Sequence, residues 1–157
     1  MAKHDITAER IEELLSYNAE TGIFTWKPRI AGHRRSSGYV SIEIDGVEVK
    51  AHQLAWFLSH GEWPSTLIDH INGNPSDNRL CNLRDATHKI NAENQRRAQK
   101  NSKSKMLGAQ WNERLGKWQS AICVDGVKKH LGVFNTPEDA HAAYINAKRK
   151  MHIGCTI

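Results

Sequence analysis

Cysteine is scarce in this chain and badly placed for cross-linking. Its three cysteines, Cys81, Cys123 and Cys155, are far apart, odd in number and form no C-x-x-C pair. That argues against a disulfide framework and a zinc ribbon, and fits a reducing cytoplasm. Long apolar runs are also missing, so no segment is long enough to cross a bilayer and no membrane partner is expected. The opening Met1-Ala2-Lys3-His4-Asp5 turns straight into a polar, helix-like pattern, so no signal peptide is expected. Acidic residues thin out in the last third. Residues 1–100 hold 13 Lys and Arg against 13 Asp and Glu, whereas residues 101–157 hold 9 against 4, which places the whole formal +5 there.

The 157 residues with 39% apolar and 25% charged content suffice for one domain or two small ones. From Lys89 to Lys117 run Lys89, Arg96, Arg97, Lys100, Lys103, Lys105, Arg114 and Lys117, opposed only by Glu93 and Glu113. A cationic stripe of this kind attracts a polyanion such as DNA or RNA, or else is a solvated, solubilising face.

Three segments are distinguishable. In residues 5–66, Thr7 caps a short helix with Ile11, Leu14 and Leu15 on one face. Ile23 to Trp26 reads as a strand. Gly38 to Ile44 alternates at period two and meets Asp45-Gly46 before Val47 to Lys50, a hairpin whose central residues need positive φ. A helix-like stretch follows from His52 to His60. In residues 67–98, the short strand Leu67-Ile68 runs into Asp69-His70, and Asn72-Gly73 and Asn74-Pro75 force turns. Leu80 to Leu83 reads as a second strand, and Thr87 caps a helix from His88 to about Ala98. Residues 99–106 form a polar basic linker. The last segment reads strand (Leu107 to Asn112), strand (Lys117 to Val124), Asp125-Gly126 turn, strand (Lys128 to Phe134), helix. Thr136, Pro137, Glu138 and Asp139 make a well-formed helix start, and Ala140, Ala143, Tyr144, Ala147 and Met151 lay that helix on the sheet.

Phosphodiester hydrolysis needs an activated water and a divalent cation at the scissile phosphate. Asp69-His70, Asn82 and Asn91 supply the groups for it. A neutral imidazole takes a proton from water near pH 7. Carboxylate and amide oxygens are hard ligands, suited to Mg²⁺ or Mn²⁺. Neighbours in a regular strand point to opposite faces, so Asp69 and His70 share a site only if the strand ends there. Taken singly, these residues read more readily as surface or satisfied histidines and turn asparagines.

The run Ile68-Asp69-His70-Ile71-Asn72-Gly73-Asn74-Pro75-Ser76-Asp77-Asn78-Arg79-Leu80-Cys81-Asn82-Leu83-Arg84-Asp85-Ala86-Thr87, followed by Asn91 and Asn94, resembles the HNH endonucleases of phage and intron origin. The lead-in, Ala51-His52-Gln53-Leu54-Ala55-Trp56 with Gly61-Glu62-Trp63-Pro64, resembles them as well. The resemblance implies a ββα-metal fold holding one divalent cation, Mg²⁺ or Mn²⁺. It makes His70 the general base, Asp69 a metal ligand and Asn82 the brace of the hairpin loop. Asn91 occupies the third motif position as second ligand, with Asn94, one turn on, as its rival. The implied setting is the cytoplasm of a bacterium or of a phage-infected host cell.

Gly108, Trp111, Gly116-Lys117-Trp118, Ala121-Ile122, Leu131-Gly132-Val133-Phe134, Glu138, Asp139-Ala140 and Ala143-Tyr144 together resemble the AP2-type DNA-binding domain. That resemblance implies a three-stranded sheet on one helix, read against double-stranded DNA. Gln110, Asn112, Arg114, Lys117 and Gln119 then meet bases or phosphates, joined by Arg96, Arg97, Lys100, Lys103 and Lys105. Trp118 either joins them or packs in the core.

The expected architecture is α+β. An HNH nuclease domain with its lead-in spans 1–98, with its core at 66–98. A basic linker spans 99–106, and an AP2-like domain spans 107–157. The expected activity is a metal-dependent endonuclease that nicks or breaks DNA at a preferred site, in the manner of homing enzymes. The alternatives are a DNA-binding regulator with a degenerate HNH segment, or a loosely specific phage packaging or recombination nuclease. Whether it acts as a monomer or a homodimer stays open. Because His70, Asp69 and Asn91 all precede residue 101, a chain lacking 101–157 is expected to keep feeble nicking.

Overall fold

The computed structural model describes residues 5–26 and 29–157. Met1–His4, on which part of the signal-peptide reading rests, lies outside the described residues. The chain divides between Thr87 and His88 into two compact units, each with its own mixture of helices and antiparallel sheets. Among the described residues, no helix is long and apolar enough to cross a membrane.

The first unit opens with α1 (Ala8–Leu14), where the Thr7 side chain accepts a hydrogen bond from the Arg10 amide. Leu15 does not continue the helix. It begins β1 (Leu15–Asn18), which pairs with β2 (Ile23–Trp26), and β2 pairs with β3 (Arg29–Ile30). Ile11 and Leu15 are both buried, so the apolar spacing is met by a helix–strand junction rather than by one helix face. A second sheet orders β4 (His33–Arg34), β5 (Val40–Ile44) and β6 (Val47–Lys50). The β5–β6 turn is Asp45-Gly46, with φ of 49° and 79°, a conformation that suits this pair. Then α2 (Ala51–His60) buries Ala51, Leu54, Ala55 and Phe57, and Gly61 ends it in the left-handed region.

The candidate residues Asp69 and His70 lie on a two-stranded ribbon of β7 (Leu67–His70) and β8 (Leu83–Ala86). The stretch expected as a strand from Leu80 is instead a single 3₁₀ turn over Leu80–Asn82, and β8 begins only at Leu83. The reason lies in the backbone donors. The Leu80 amide goes to the Ala19 carbonyl and the Asn82 amide to the Arg79 carbonyl, which leaves neither for a ladder. Ile68 and Leu83 anchor the ribbon in the core formed by Ile11, Phe24, Ile42, Val49 and Leu54.

The second unit opens with α3 (His88–Glu93). This helix stops five residues short of the expected Ala98, because the side chains of Asn94 and Arg96 and the Gln95 carbonyl are engaged by residues far downstream. The strands β9 (Ala109–Asn112), β10 (Lys117–Val124) and β11 (Val127–Phe134) form an antiparallel meander, and α4 (Pro137–Met151) lies on it. Thr136 caps α4 by accepting from the Asp139 amide, with Pro137 in the first turn. Ala109, Ser120 and Ile122, buried and of one parity, mark the helix-covered face. Gly108, at φ 77°, is required there: a Cβ would lie 2.0 Å from the Tyr144 ring.

Candidate active site

Alternation along the ribbon decides what each motif residue faces. His70 pairs with Leu83 and shares its parity with Ile68, so its ring lies on the core side; it is 5% exposed. Burial lowers its pKa below the usual imidazole value, partly offset by the hydrogen bond to Asn78. His70 is therefore neutral at pH 7, the state a proton acceptor needs. Its Nε2 sits 3.3 Å from Asn78 Oδ1.

Asp69 points to the other face. Its Oδ2 accepts from Arg84 Nε at 3.0 Å and Nη2 at 2.8 Å, across the strand pair Asp69–Arg84. β7 does end at His70, and the Asp69 charge is near enough to favour the protonated imidazole. The Asp69 carboxylate, 6% exposed, is nevertheless held by an arginine.

The loop between the strands is built from asparagine side chains standing in for backbone partners. Asn82 Oδ1 accepts from the Asn72 amide at 2.9 Å, and its Nδ2 donates to the Asp77 carbonyl at 2.8 Å. Asn72 donates to Asp77 Oδ2 and accepts from the Asn74 amide. The side-chain hydrogen bond from Arg79 holds the Asp77 carboxyl down to about 2. The Tyr17 hydroxyl donates to the Asn78 carbonyl at 2.8 Å, fixing from outside the loop the residue that touches His70. Asn82→Ala is predicted to cost about 1–3 kcal/mol, because it strips a partner from two loop groups at once. A urea denaturation series checks this; a loss below about 0.5 kcal/mol, the scale of an ordinary surface change, would remove Asn82 as the loop's brace.

Two residues outside the expected set complete the surroundings of His70. The His52 ring, from the first turn of α2, stands edge-on at 5.1 Å between centroids. Tyr39, just before β5, lies 5.8 Å from His70 and 5.4 Å from His52, with Lys50 Nζ over its ring at 5.8 Å. His52 lies inside the lead-in that carried the resemblance, but nothing in the spacing of Tyr39 singles it out.

Asn91 and Asn94 part company in the second unit. Asn91 is exposed on α3, whereas Asn94 is buried and accepts from Thr156 Oγ1. Among the described residues, no cluster of three or more His, Cys, Asp or Glu side chains is assembled. Carboxylate and amide oxygens, the donor types of Asp69 and of the asparagines, suit a hard divalent ion rather than a closed thiolate site.

Of the residues expected to meet nucleic acid, register puts Gln110 opposite Gln119 and Asn112 opposite Lys117, all on the sheet face away from α4. Asn112 also donates to Gln119 at 2.9 Å. Arg114 is exposed in the β9–β10 turn. Trp118 lies on the opposite, helix-covered face, its ring 5.1 Å from Trp111. Arg97, Lys100, Lys103 and Lys105 are exposed, with Lys103 paired to Glu113. Arg97 and Lys103 line a groove of about 480 Å³ together with Gln110, Trp111 and Tyr144. Arg96 is half-buried, its guanidinium on the Thr156 carbonyl and hydroxyl.

No solved structure matches this chain. Protein 3.8 of Escherichia phage T7 is 33% identical over 82 residues, covering 52% of this chain and 66% of that protein, so the alignment spans slightly less than two thirds of the relative's length. Residues 49–93 match the HNH endonuclease family, a span that runs from the end of β6 through α3 and stops before the C-terminal sheet. Over the segment that contains His52, Asp69, His70, Asn82 and Asn91, the chain is thus similar to the HNH endonucleases.

Proposed function

We propose that this chain is a metal-dependent DNA endonuclease that nicks or breaks double-stranded DNA at a preferred site, in the homing manner. The observation that carries the reading is His70: a buried imidazole at a strand end, its neutral form favoured by burial, held by Asn78 on a loop that Asn82 ties shut, within the HNH-like segment. His70 accepts a proton from the attacking water as its oxygen bonds to phosphorus, and the bond from phosphorus to the leaving deoxyribose oxygen breaks, that oxygen taking a proton from solvent water. What a divalent ion, Mg²⁺ or Mn²⁺, supplies when bound is positive charge at the scissile phosphate, with Asp69 as the hard oxygen that would hold it. On α3, Asn91 rather than Asn94 is the residue to test as second ligand, because the Asn94 amide oxygen is occupied. Burial of His70 favours the unprotonated base, and the rings of Tyr39 and His52 stand beside it.

We assign DNA anchoring to residues 107–157, in an AP2-like arrangement that uses Gln110, Asn112, Arg114, Lys117 and Gln119, with the basic stretch 99–106 beside it. The second reading, a DNA-binding regulator, draws on the Asp69–Arg84 pair, which occupies the proposed metal ligand. A supercoiled-plasmid assay separates the two. Nicking in Mg²⁺ that vanishes in EDTA is expected; intact plasmid at every Mg²⁺ and Mn²⁺ concentration, with DNA still bound, would establish the regulator.

A further inference from the structure

The helix carrying the third motif position is folded into the C-terminal unit. α3 has six residues, too few to persist on its own propensity. The partners described for it and its flank lie downstream of residue 120. Lys89 pairs with Asp125 at the tip of the β10–β11 hairpin at 2.5 Å. Glu93, 6% exposed, accepts from the Gly154 amide at 2.9 Å. Asn94 accepts from Thr156 Oγ1, and that hydroxyl accepts in turn from Arg96. The Lys148 ammonium, 1% exposed on α4, donates to the Gln95 carbonyl. Packing is as tight as the bonding: a Cβ at Gly154 would lie 2.4 Å from the Ile90 carbonyl and 2.9 Å from Glu93 Cβ.

Resting on the nuclease reading above, we propose that residues 154–156 of the tail, with Lys148, are positioning residues that lock α3 and so set Asn91. The C-terminal unit then serves the chemical step as well as DNA anchoring. The expectation that a chain ending before residue 101 keeps some nicking is replaced by its opposite. Thr156 is the sharpest probe, because one hydroxyl joins Asn94 to Arg96, and valine keeps its shape while removing both bonds.

The experiment uses the full chain and three proteins: wild type, Thr156→Val and Thr156→Ser. Hydrogen exchange of the amides at 90–95, measured without metal, should be faster in the valine variant and near wild type in the serine variant. The Mg²⁺ concentration for half-maximal nicking should rise by roughly 10-fold with valine, the low end of what losing the support around a metal ligand costs. It should return to near wild type with serine, while DNA affinity stays unchanged in both. Unchanged exchange, unchanged Mg²⁺ dependence in the valine variant, or equal loss with valine and serine would each overturn the brace. A wild type that never nicks would instead sink the nuclease reading, and the exchange data would still decide whether the tail holds α3.

Discussion

Replacing His70 with alanine should lower the nicking rate by roughly 10²–10⁴-fold while DNA affinity stays within a few-fold. The imidazole is 5% exposed and lies inward of the ribbon, so it contributes little to docking. In the proposed role it accepts a proton at the reacting water, so its loss falls on the rate and not on the complex. The cavity left by the ring is bordered by Tyr39 and His52 as well as Leu83, so a folding control is needed. Circular dichroism and gel-shift affinity on the same preparation provide it. Equal loss of binding and nicking would make His70 a packing residue.

Ending the chain at Lys100 should abolish nicking and flatten the salt dependence of binding. Two effects add. The last 57 residues carry the formal +5, and every DNA phosphate that the protein no longer neutralises lowers the log–log salt slope by roughly 0.9. The same cut removes Asp125, Lys148, Gly154 and Thr156, the residues that hold α3. Salt titrations of affinity for full-length and truncated chains, with nicking assayed alongside, test both effects. An unchanged slope would show that the C-terminal unit is not the DNA anchor, and surviving Mg²⁺-dependent nicking would show that α3 needs no brace.

Local chemistry made much of this fold legible in the sequence. Asp45-Gly46 and Asp125-Gly126 mark their hairpins because the turns need positive φ, and both aspartates adopt it, at 49° and 52°. The cap at Thr136 is equally local, since its hydroxyl reaches an amide three residues on. Long-range partners decided what could not be read. Leu15 fits the periodicity of α1 but is drawn into β1 by pairing with Trp26. Leu80 looks like a strand residue until its amide goes to Ala19. Asn91 and Asn94 lie one turn apart by spacing, and burial together with the bond from Thr156, 62 residues after Asn94, distinguishes them. At the site, Asp69, His70 and Asn82 are legible as a run of residue types. Arg84 becomes visible only once strand pairing sets it opposite Asp69, and Tyr39 only once its ring is placed beside His70.

The division of the chain between Thr87 and His88 has a practical meaning for building chimaeras. The basic linker at 99–106 is the joint the sequence offers for exchanging the C-terminal module with that of another protein. A graft there would strand α3 on one parent and its hairpin tip, α4 lysine and tail on the other, leaving Glu93 and Asn94 buried without their matched donors. A joint placed just before His88 transfers helix and brace together, so retargeting this protein is a matter of moving seventy residues as one piece.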